Sequence, residues 1–208
     1  MVKASEDTLA AEPFSYKLRE GGFMQPNWFV AFPVTPGDWL PAVTQNTPEG
    51  FRVFHPADLH ITIAFLGACG PEQAHTAWDV LVAQNHPPIE IQLGPLRAMG
   101  HPRHPSAYAL TLAQGHETTA QIMGQWRSAI GDALQIRLDE RPPLPHITVA
   151  RPKRKTRKDA KRLGETWMNQ SNTVSAQVQL NRVALYTWHE DRQSQLFQIV
   201  EERPFSAP

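Results

Sequence analysis

The chain has 208 residues, 41% of them hydrophobic, and its 20 basic and 20 acidic residues cancel. This composition fits one large globular domain or two small lobes, and it excludes a globally basic nucleic-acid binder of the histone type. There is no stretch near the roughly 18 apolar residues of a membrane span and no secretory leader, and the single Cys69 cannot form an internal disulfide, so we expect a cytoplasmic protein without membrane contact.

The first predicted element follows a polar N-terminal segment. Residues 1–27 contain the Gly21-Gly22 pair and end just after Pro26, so we predict a flexible extension there and a single bilobal domain over residues 28–208. The apolar run WFVAFPV at residues 28–34 predicts a buried strand, and the sequence DWLPAVTQN after it predicts a short helix.

The remaining elements follow the same order twice. From His60 the pattern predicts the strand HITIAFLG, a helix that begins at Pro71, and the strands IEIQLGPLRAMG and AYALTLA. From His146 it predicts the strand HITVARP, the helix TRKDAKRLGETWMNQ, and the strands SAQVQLNRVALYTW and QLFQIVEE. A helix over His116–Leu134 links the two halves, so the sequence indicates an internal duplication.

The two halves share a five-residue motif, HITIA from His60 and HITVA from His146. Successive side chains of a strand point to opposite faces, so His60 and Thr62 share one face, as do His146 and Thr148. A third His-x-Thr, at residue 116, falls at a helix start and is better explained by capping. If the halves are related by a pseudo-twofold axis, the two motifs face each other across a groove.

Two histidines and two hydroxyl groups favour phosphate chemistry. They are a poor metal cage, because three or four ligands are needed and no cysteine or carboxylate cluster adjoins them. A nucleophilic serine site is not indicated, since no G-x-S-x-G occurs. Two imidazoles can act as base and acid in an in-line displacement at phosphorus, while hydroxyl donors and a cation hold the other oxygens. Arg151, three residues after Thr148, is the candidate cation.

A basic run begins at the same arginine. The sequence RPKRKTRKDAKR holds eight Lys or Arg residues among the twelve from Arg151 to Arg162. It is either a solvated helix face or a surface for the backbone of a longer RNA.

The motifs HPADLHITIAFLG and PHITVARPK, with the early strand WFVAFPV and the closing VALYTW and QLFQIVEE, resemble the two-histidine (2H) phosphoesterases. The resemblance is greatest to their RNA 2′,3′-cyclic phosphodiesterase, or 2′-5′ RNA ligase, branch, and it covers most of residues 28–204. It implies a bilobal α+β fold with pseudo-twofold symmetry, in which two antiparallel sheets line a central groove and the helices lie outside.

The resemblance also implies an activity. The expected reaction opens a 2′,3′-cyclic phosphate to a 2′-phosphate without a metal or cofactor, and 2′-5′ RNA ligation is a second activity of the family. By the resemblance, His60 and His146 are the catalytic acid–base pair, and Thr62, Thr148 and Arg151 bind the phosphate. The residues leave open which histidine is the base, and the resemblance favours His146 for water and His60 for the leaving oxygen. Expected partners are RNA with 2′,3′-cyclic phosphate ends, such as tRNA-like molecules, or cyclic nucleotides, and we expect a monomer.

Phe32 stands where the family often has an acidic residue after the first strand's alanine. It is a candidate for base stacking in the groove, with a role in the core as the alternative. Other functions also stay open: a 2H enzyme for another cyclic phosphate, such as ADP-ribose 1″,2″-cyclic phosphate, or for a 2′-5′ linked oligonucleotide, and a non-catalytic module that binds RNA ends. Two titratable groups argue against the binding module, because binding alone does not need them.

Overall fold

The computed structural model describes residues 25–171 and 174–206. The predicted flexible extension, residues 1–27, lies almost wholly outside the described residues and stays a prediction. Within the described range, no helix is long and apolar enough to cross a membrane.

The strands and α-helices of the described chain follow one another in this order: β1 Trp28–Pro33, α1 Trp39–Thr44, β2 Phe51–Val53, β3 His60–Gly67, α2 Pro71–Val82, β4 Ile89–His101, β5 His104–Gln114, α3 His116–Leu134, β6 Ile147–Pro152, α4 Ala160–Gln170, β7 Gln177–Leu180, β8 Arg182–Trp188 and β9 Phe197–Pro204. The predicted helix over His116–Leu134 has the predicted bounds. The helix predicted from residue 156 begins only at Ala160, because the basic run first forms a 3-10 turn over Arg154–Thr156.

The strands form two antiparallel sheets. Sheet A has the order β3-β1-β8-β9, and sheet B has the order β2-β6-β5-β4-β7. In β1, Val30 and Phe32 belong to the main core, while Phe29 and Ala31 belong to a second cluster on the opposite face. The strand is therefore buried on both faces, which explains why its sequence is continuously apolar rather than alternating.

The predicted bilobal fold with pseudo-twofold symmetry is confirmed, with a different repeat boundary. The neighbours β3-β1-β8 in sheet A correspond, in the same order, to the neighbours β6-β5-β4 in sheet B. A pseudo-twofold rotation would therefore superpose β3 on β6, β1 on β5 and β8 on β4. The first repeat thus begins at β1 and the second at β5, each before its motif strand, and the last strand of each repeat crosses into the other sheet. The helix α3 lies inside the second repeat and is not a linker between the two.

The single strand predicted over SAQVQLNRVALYTW is wrong. The chain forms β7 in sheet B, breaks at Asn181, and continues as β8 in sheet A. The carbonyl of Asn181 accepts a hydrogen bond from the N–H of Phe205 at 2.7 Å, so the break is held by the end of β9. Both segments are strand-like in composition, and the sequence therefore gives no signal for the change of sheet.

The helices cover the outer faces of the sheets, as predicted. Helices α2 and α3 pack together on sheet A, where Trp126 contacts Phe32. Helix α4 packs on sheet B, and its buried Trp167 donates from Nε1 to the carbonyl of Val43 at 2.8 Å. Gly164 of α4 lies against the ring of Tyr108, where any Cβ atom would collide with that ring. The outer packing leaves the inner faces of the sheets to form the groove.

Candidate active site

The two motif histidines occupy equivalent backbone positions. His60 is the first residue of β3, and His146 directly precedes β6. The Nδ1 atom of His60 lies 2.6 Å from the carbonyl oxygen of Asp58, and that of His146 lies 2.7 Å from the carbonyl oxygen of Leu144. A carbonyl can only accept a hydrogen bond, so each Nδ1 carries a hydrogen and each Nε2 is free to exchange a proton.

The threonines lie on the same strand faces as their histidines. Thr62 and Thr148 are half-buried, and their neighbours Ile61 and Ile147 are fully buried in the core. The predicted alternation of the motif is therefore confirmed. Strand β3 of sheet A and strand β6 of sheet B also contact each other, so the two motif strands are neighbours.

The pKa of His60 depends on its burial and on charged groups of the second motif. Burial lowers the pKa of His60 to about 4, and the positive charges of His146 and Arg151 act in the same direction. The hydrogen bond to the Asp58 carbonyl opposes this shift by stabilising the protonated ring. His60 is therefore neutral in the free protein at pH 7, and both His146 and Arg151 lie within electrostatic reach of it.

Strand β3 contains a β-bulge directly after Thr62. Thr62 and Ala64 pair with consecutive residues of β1, which leaves Ile63 as an extra residue. Ile63 and Ala64 are both buried in the core, so two successive side chains lie on one face. Phe65 then returns to the groove face beside Phe29, its partner on β1, with 58% of its surface exposed.

Strand β6 contains the same bulge one residue after Thr148. Thr148 and Ala150 pair with consecutive residues of β5, so Val149 is the extra residue, and it is buried together with Ala150. Arg151 consequently lies on the groove face, opposite Arg52 of β2. Without a bulge, an odd spacing from Thr148 would turn Arg151 away from the groove.

The two bulges place Phe65 and Arg151 at equivalent positions of the duplicated unit. Sequence reasoning identified Arg151 from its charge and missed Phe65, although both stand three residues after the motif threonine. The repeat itself was the signal that could have found Phe65.

The bulge carbonyls are both hydrogen-bonded. The carbonyl of Ile63 accepts from Nε of Arg127 at 3.1 Å, and the carbonyl of Val149 accepts from the N–H of Phe54 at 2.9 Å. Arg127 also donates from Nη1 to two carbonyls, at 3.0 and 3.2 Å, in the segment 139–141 that leads to His146. Helix α3 thus holds the first motif strand and the approach to the second.

Aromatic rings surround His60 on the groove side of sheet A. Its ring centroid lies 4.8 Å from that of Phe29, 5.4 Å from that of Tyr186 and 5.5 Å from that of Phe197. These rings remove water from one side of the imidazole, which is the desolvation that lowers its pKa. The Tyr186 hydroxyl is buried there without a hydrogen-bond partner in the described chain, and burial raises its pKa.

The same aromatic cluster extends to Arg151. The guanidinium of Arg151 lies 5.6 Å above the ring of Phe54, whose centroid is 6.4 Å from that of Phe197. Arg151 is solvent-exposed, so its donors are available to a ligand in the groove. The rings of Phe197 and Phe54 therefore form a continuous apolar surface from His60 to Arg151, which we call the apolar floor.

Asp58 is a further residue that sequence reasoning missed. Its carboxylate is buried, with 1% exposure, and accepts hydrogen bonds from the backbone N–H groups of Leu196 and Phe197 at 2.9 to 3.1 Å. Its carbonyl accepts from His60. Asp58 therefore fixes the imidazole and the Phe197 ring beside it, and an acidic residue two positions before the motif histidine was its only sequence signal.

Phe32 does not lie in the groove, so the base-stacking interpretation is corrected. Its side chain is fully buried and packs against Trp126 and Phe205, with ring centroids 5.6 and 6.0 Å away. It follows Ala31, which faces the groove, and alternation along β1 directs it to the helices. The core alternative is the correct one.

Across residues 25–171 and 174–206, no group of three or more His, Cys, Asp or Glu side chains is arranged to hold a metal ion. The charges of His146 and Arg151 act on His60, and Thr62 and Thr148 are half-buried on the two motif strands. Such a set can transfer protons and bind an anion.

Comparison with known proteins identifies a family and a curated relative. The family model described as the 2′-5′ RNA ligase superfamily matches residues 48–192. The RNA 2′,3′-cyclic phosphodiesterase of Bacillus subtilis is 28% identical over 134 residues, which are 62% of this chain and 72% of that protein.

Among solved structures, the TT0787 protein of Thermus thermophilus matches with a TM-score of 0.62 at 17% identity, over 86% of this chain and 97% of that one. The E. coli LigT protein in complex with 3′-AMP matches with a TM-score of 0.63 at 18% identity, over 88% and 99% of the two chains. At these identities the structural matches establish the fold.

Proposed function

The chain belongs to the 2′-5′ RNA ligase superfamily, and we propose that it is a 2′,3′-cyclic phosphodiesterase acting on RNA ends. The observation that carries the proposal is the pair of motif histidines, each with Nδ1 bound to a carbonyl two residues earlier and Nε2 free. The name of the Bacillus subtilis relative supports the same reaction. A cytoplasmic location, which the single cysteine favours, is part of this proposal.

In the proposed reaction, water attacks the phosphorus of the cyclic phosphate in line with the bond to O3′. One imidazole accepts a proton from the water at Nε2, and the other donates its Nε2 proton to O3′ as the P–O3′ bond breaks. The product keeps the P–O2′ bond and is therefore a 2′-phosphate. Each histidine ends with the proton count that its partner began with, and solvent exchange resets the pair.

Arg151 and the threonine hydroxyls are proposed to bind the non-bridging oxygens. A guanidinium offers paired donors that match a phosphate, and hydroxyls half-buried beside the imidazoles add directed hydrogen bonds. The apolar floor beneath Arg151 strengthens such contacts because it lowers the local dielectric constant.

The surroundings of His60 favour it as the base. Only a neutral imidazole can accept a proton, and the pKa of about 4 keeps His60 neutral across physiological pH. This assignment leaves His146 as the acid and reverses the order that the family resemblance favoured. A bound phosphate anion stabilises protonated His60 after the transfer.

Phe65 is the proposed platform for the terminal base. Its ring is exposed on the groove face, it occupies the position equivalent to Arg151, and an aromatic face stacks on any base. A phosphate held near Arg151 and a base on Phe65 would place one nucleotide across the groove.

A 2′-5′ ligase activity would break the same P–O3′ bond of the cyclic phosphate. A 5′-hydroxyl in place of water would attack the cyclic phosphate and expel O3′, forming a 2′-5′ linkage. The half-exposed site admits either nucleophile, so the balance follows from the concentration of 5′-hydroxyl ends relative to water.

The test against a pure binding module is turnover. Purified protein is mixed with a hundredfold excess of adenosine 2′,3′-cyclic phosphate, and product is followed by chromatography. We expect complete conversion over many turnovers. Stoichiometric binding with no product would instead support the RNA-end-binding module, and turnover of ADP-ribose 1″,2″-cyclic phosphate alone would support the other cyclic phosphates.

A further inference from the structure

A cluster of three arginines extends the groove beyond the motif residues. Arg52 of β2 and Arg151 of β6 are direct cross-strand partners. Phe51 and Pro152 beside them face the core, so both arginines lie on the groove face. Like charges directly opposite each other on paired strands are destabilising unless an anion lies between them.

Arg192 is the third member. Its guanidinium lies 4.1 Å from the ring centroid of Trp188, the last residue of β8. Arg52 donates from Nη2 to the carbonyls of Arg192 and Gln193 at 2.6 and 3.1 Å, which ties the loop after β8 to β2. The Nε of Arg192 is buried and has no hydrogen-bond partner within the described residues.

The cluster lacks a neutralising carboxylate. Among the salt bridges of the described chain, none involves Arg52, Arg151 or Arg192. The charge of Asp58 acts on Arg192, but the carboxylate oxygens of Asp58 already accept backbone N–H groups. Burial lowers the pKa of Arg192, the charges of Arg52 and Arg151 act in the same direction, and the charge of Asp58 opposes them.

The arginine cluster lies on one side of the motif histidines. Trp188 is the cross-strand partner of Phe197, which contacts His60, and Phe54 lies between Phe197 and Arg151. Arg151 adjoins both groups of residues, with the histidines on one side and the Arg52–Arg192 pair on the other. An anion bound by that pair would be the next charged group along a ligand whose cyclic phosphate lies at the histidines.

We propose that Arg52 and Arg192 form a second phosphate subsite, which binds the phosphoryl group on the 5′ side of the nucleotide that carries the cyclic phosphate. This inference rests on the proposed function and names its substrate class as ligands with two phosphates. The shared chemistry is a 5′-phosphoryl group, either a terminal monoester or the diester that joins the preceding nucleotide of an RNA strand.

Binding is measured first, because it does not depend on turnover. Calorimetry compares adenosine 3′-monophosphate with adenosine 3′,5′-bisphosphate in the native protein and in Arg52→Gln and Arg192→Gln variants. We expect the bisphosphate to bind about tenfold more tightly or better, because its second phosphoryl group adds charge-assisted hydrogen bonds to the guanidinium groups. Each variant should reduce that ratio about tenfold. Arg182→Gln is the matched control, since Arg182 is paired with Glu202 at the opposite end of β8 from Trp188.

Turnover then separates the two ligand sources. The kcat/KM values are compared for adenosine 2′,3′-cyclic phosphate, its 5′-phosphorylated form and a dinucleotide that ends in the cyclic phosphate. A preference for either two-phosphate substrate that Arg192→Gln reduces supports the subsite and identifies the monoester or the diester.

Equal affinity for the mono- and bisphosphate in the native protein would overturn the subsite, even if hydrolysis is observed. A loss of preference in Arg182→Gln as large as in Arg192→Gln would also overturn it, because it would show a general charge effect. Absence of hydrolysis with an intact bisphosphate preference would count against the proposed function and leave the subsite standing.

Discussion

The two motif histidines share a backbone arrangement and differ in their surroundings. His60 lies among three aromatic rings, whereas the aromatic contacts of the described chain include none at His146. Identical Nδ1 bonds therefore present two imidazoles of different solvation to the same groove. In the proposed reaction this difference lets one imidazole act as base and the other as acid, because general acid–base catalysis needs two groups in different protonation states.

Replacing either histidine tests this division at the residue scale. We expect His60→Ala and His146→Ala each to lower kcat by about 10² to 10⁴, the usual loss for a general acid or base. Steady-state kinetics on a nucleoside 2′,3′-cyclic phosphate provide the measurement, and circular dichroism checks that each variant is folded. If both variants stayed within a few fold of the native rate, the histidines would not be the catalytic pair.

The second prediction concerns the titration of His60 and its effect on stability. NMR of the free protein should show His60 titrating near pH 4, and the acidic limb of kcat/KM should follow it. The unfolded chain holds this proton up to about pH 6.5, so it binds more protons than the folded chain between pH 6.5 and about 4. Stability should therefore fall as the pH is lowered through this window.

Urea unfolding at pH 7 and pH 4.5 measures that loss. The native protein should lose more stability than His60→Gln, which lacks the titrating group, and His55→Gln serves as an exposed control. Equal losses in all three proteins, or an NMR midpoint above pH 6, would contradict the burial of His60.

Phe65 and Phe32 make a matched pair for the third prediction. Phe65→Ala should raise KM by about 5- to 150-fold, since stacking on one base contributes about 1–3 kcal/mol, with little change in stability. Phe32→Ala should instead destabilise the fold by about 3–5 kcal/mol, because it leaves a cavity in the core. Kinetics and urea unfolding of both variants separate these effects. An unchanged KM in Phe65→Ala would remove the ring from the binding site.

At the scale of single elements, the bulges decide what the motif strands present. The sequence predicted that each histidine and threonine share a face, because period-two alternation is visible in HITIA and HITVA. It could not predict the faces of Phe65 and Arg151, since a bulge depends on the partner strand and leaves no mark in the residues that form it. Phe32 was placed in the groove for a related reason: a strand buried on both faces shows no alternation.

The basic segment between β6 and α4 carries the fourth prediction. Lys153, Arg154 and Lys155 are exposed and form no ion pair within the described chain. If they contact RNA, the log of kcat/KM on an RNA with a cyclic phosphate end should fall by about 0.7 per log unit of salt for each contact. Replacing all three by Gln should flatten this slope and leave that of a mononucleotide almost unchanged.

The matched control for that triple variant lies on α4. Lys161 and Arg162 are also exposed but lie near Glu165 and Asp159, at 3.9 and 3.7 Å, so their replacement should leave the RNA slope as it is. Equal salt slopes for RNA and mononucleotide in the native protein would show that the segment does not contact RNA and is a solvated surface.

At the scale of the whole molecule, the two halves of the chain are exchanged between the two sheets. The first half contributes β4 to sheet B, and the second half contributes β8 to sheet A. Each lobe is therefore completed by the other half, which fixes the separation of the motif strands. The sequence revealed the duplication through two short motifs and the order of elements. It did not reveal this exchange, because β7 and β8 both have strand-like sequences and nothing in them shows which sheet each strand joins.

The groove between these lobes is proposed to open a cyclic phosphate by proton transfer between two histidines, with Arg151 and hydroxyl groups balancing the charge in place of a metal. The most direct test is the product isomer. Adenosine 2′,3′-cyclic phosphate is incubated with the native protein in excess EDTA, and the product is identified by chromatography against both adenosine monophosphates. We predict the 2′-phosphate alone, at the rate found without EDTA. Formation of the 3′-phosphate, or loss of activity in EDTA that zinc or manganese restores, would contradict the proposed mechanism.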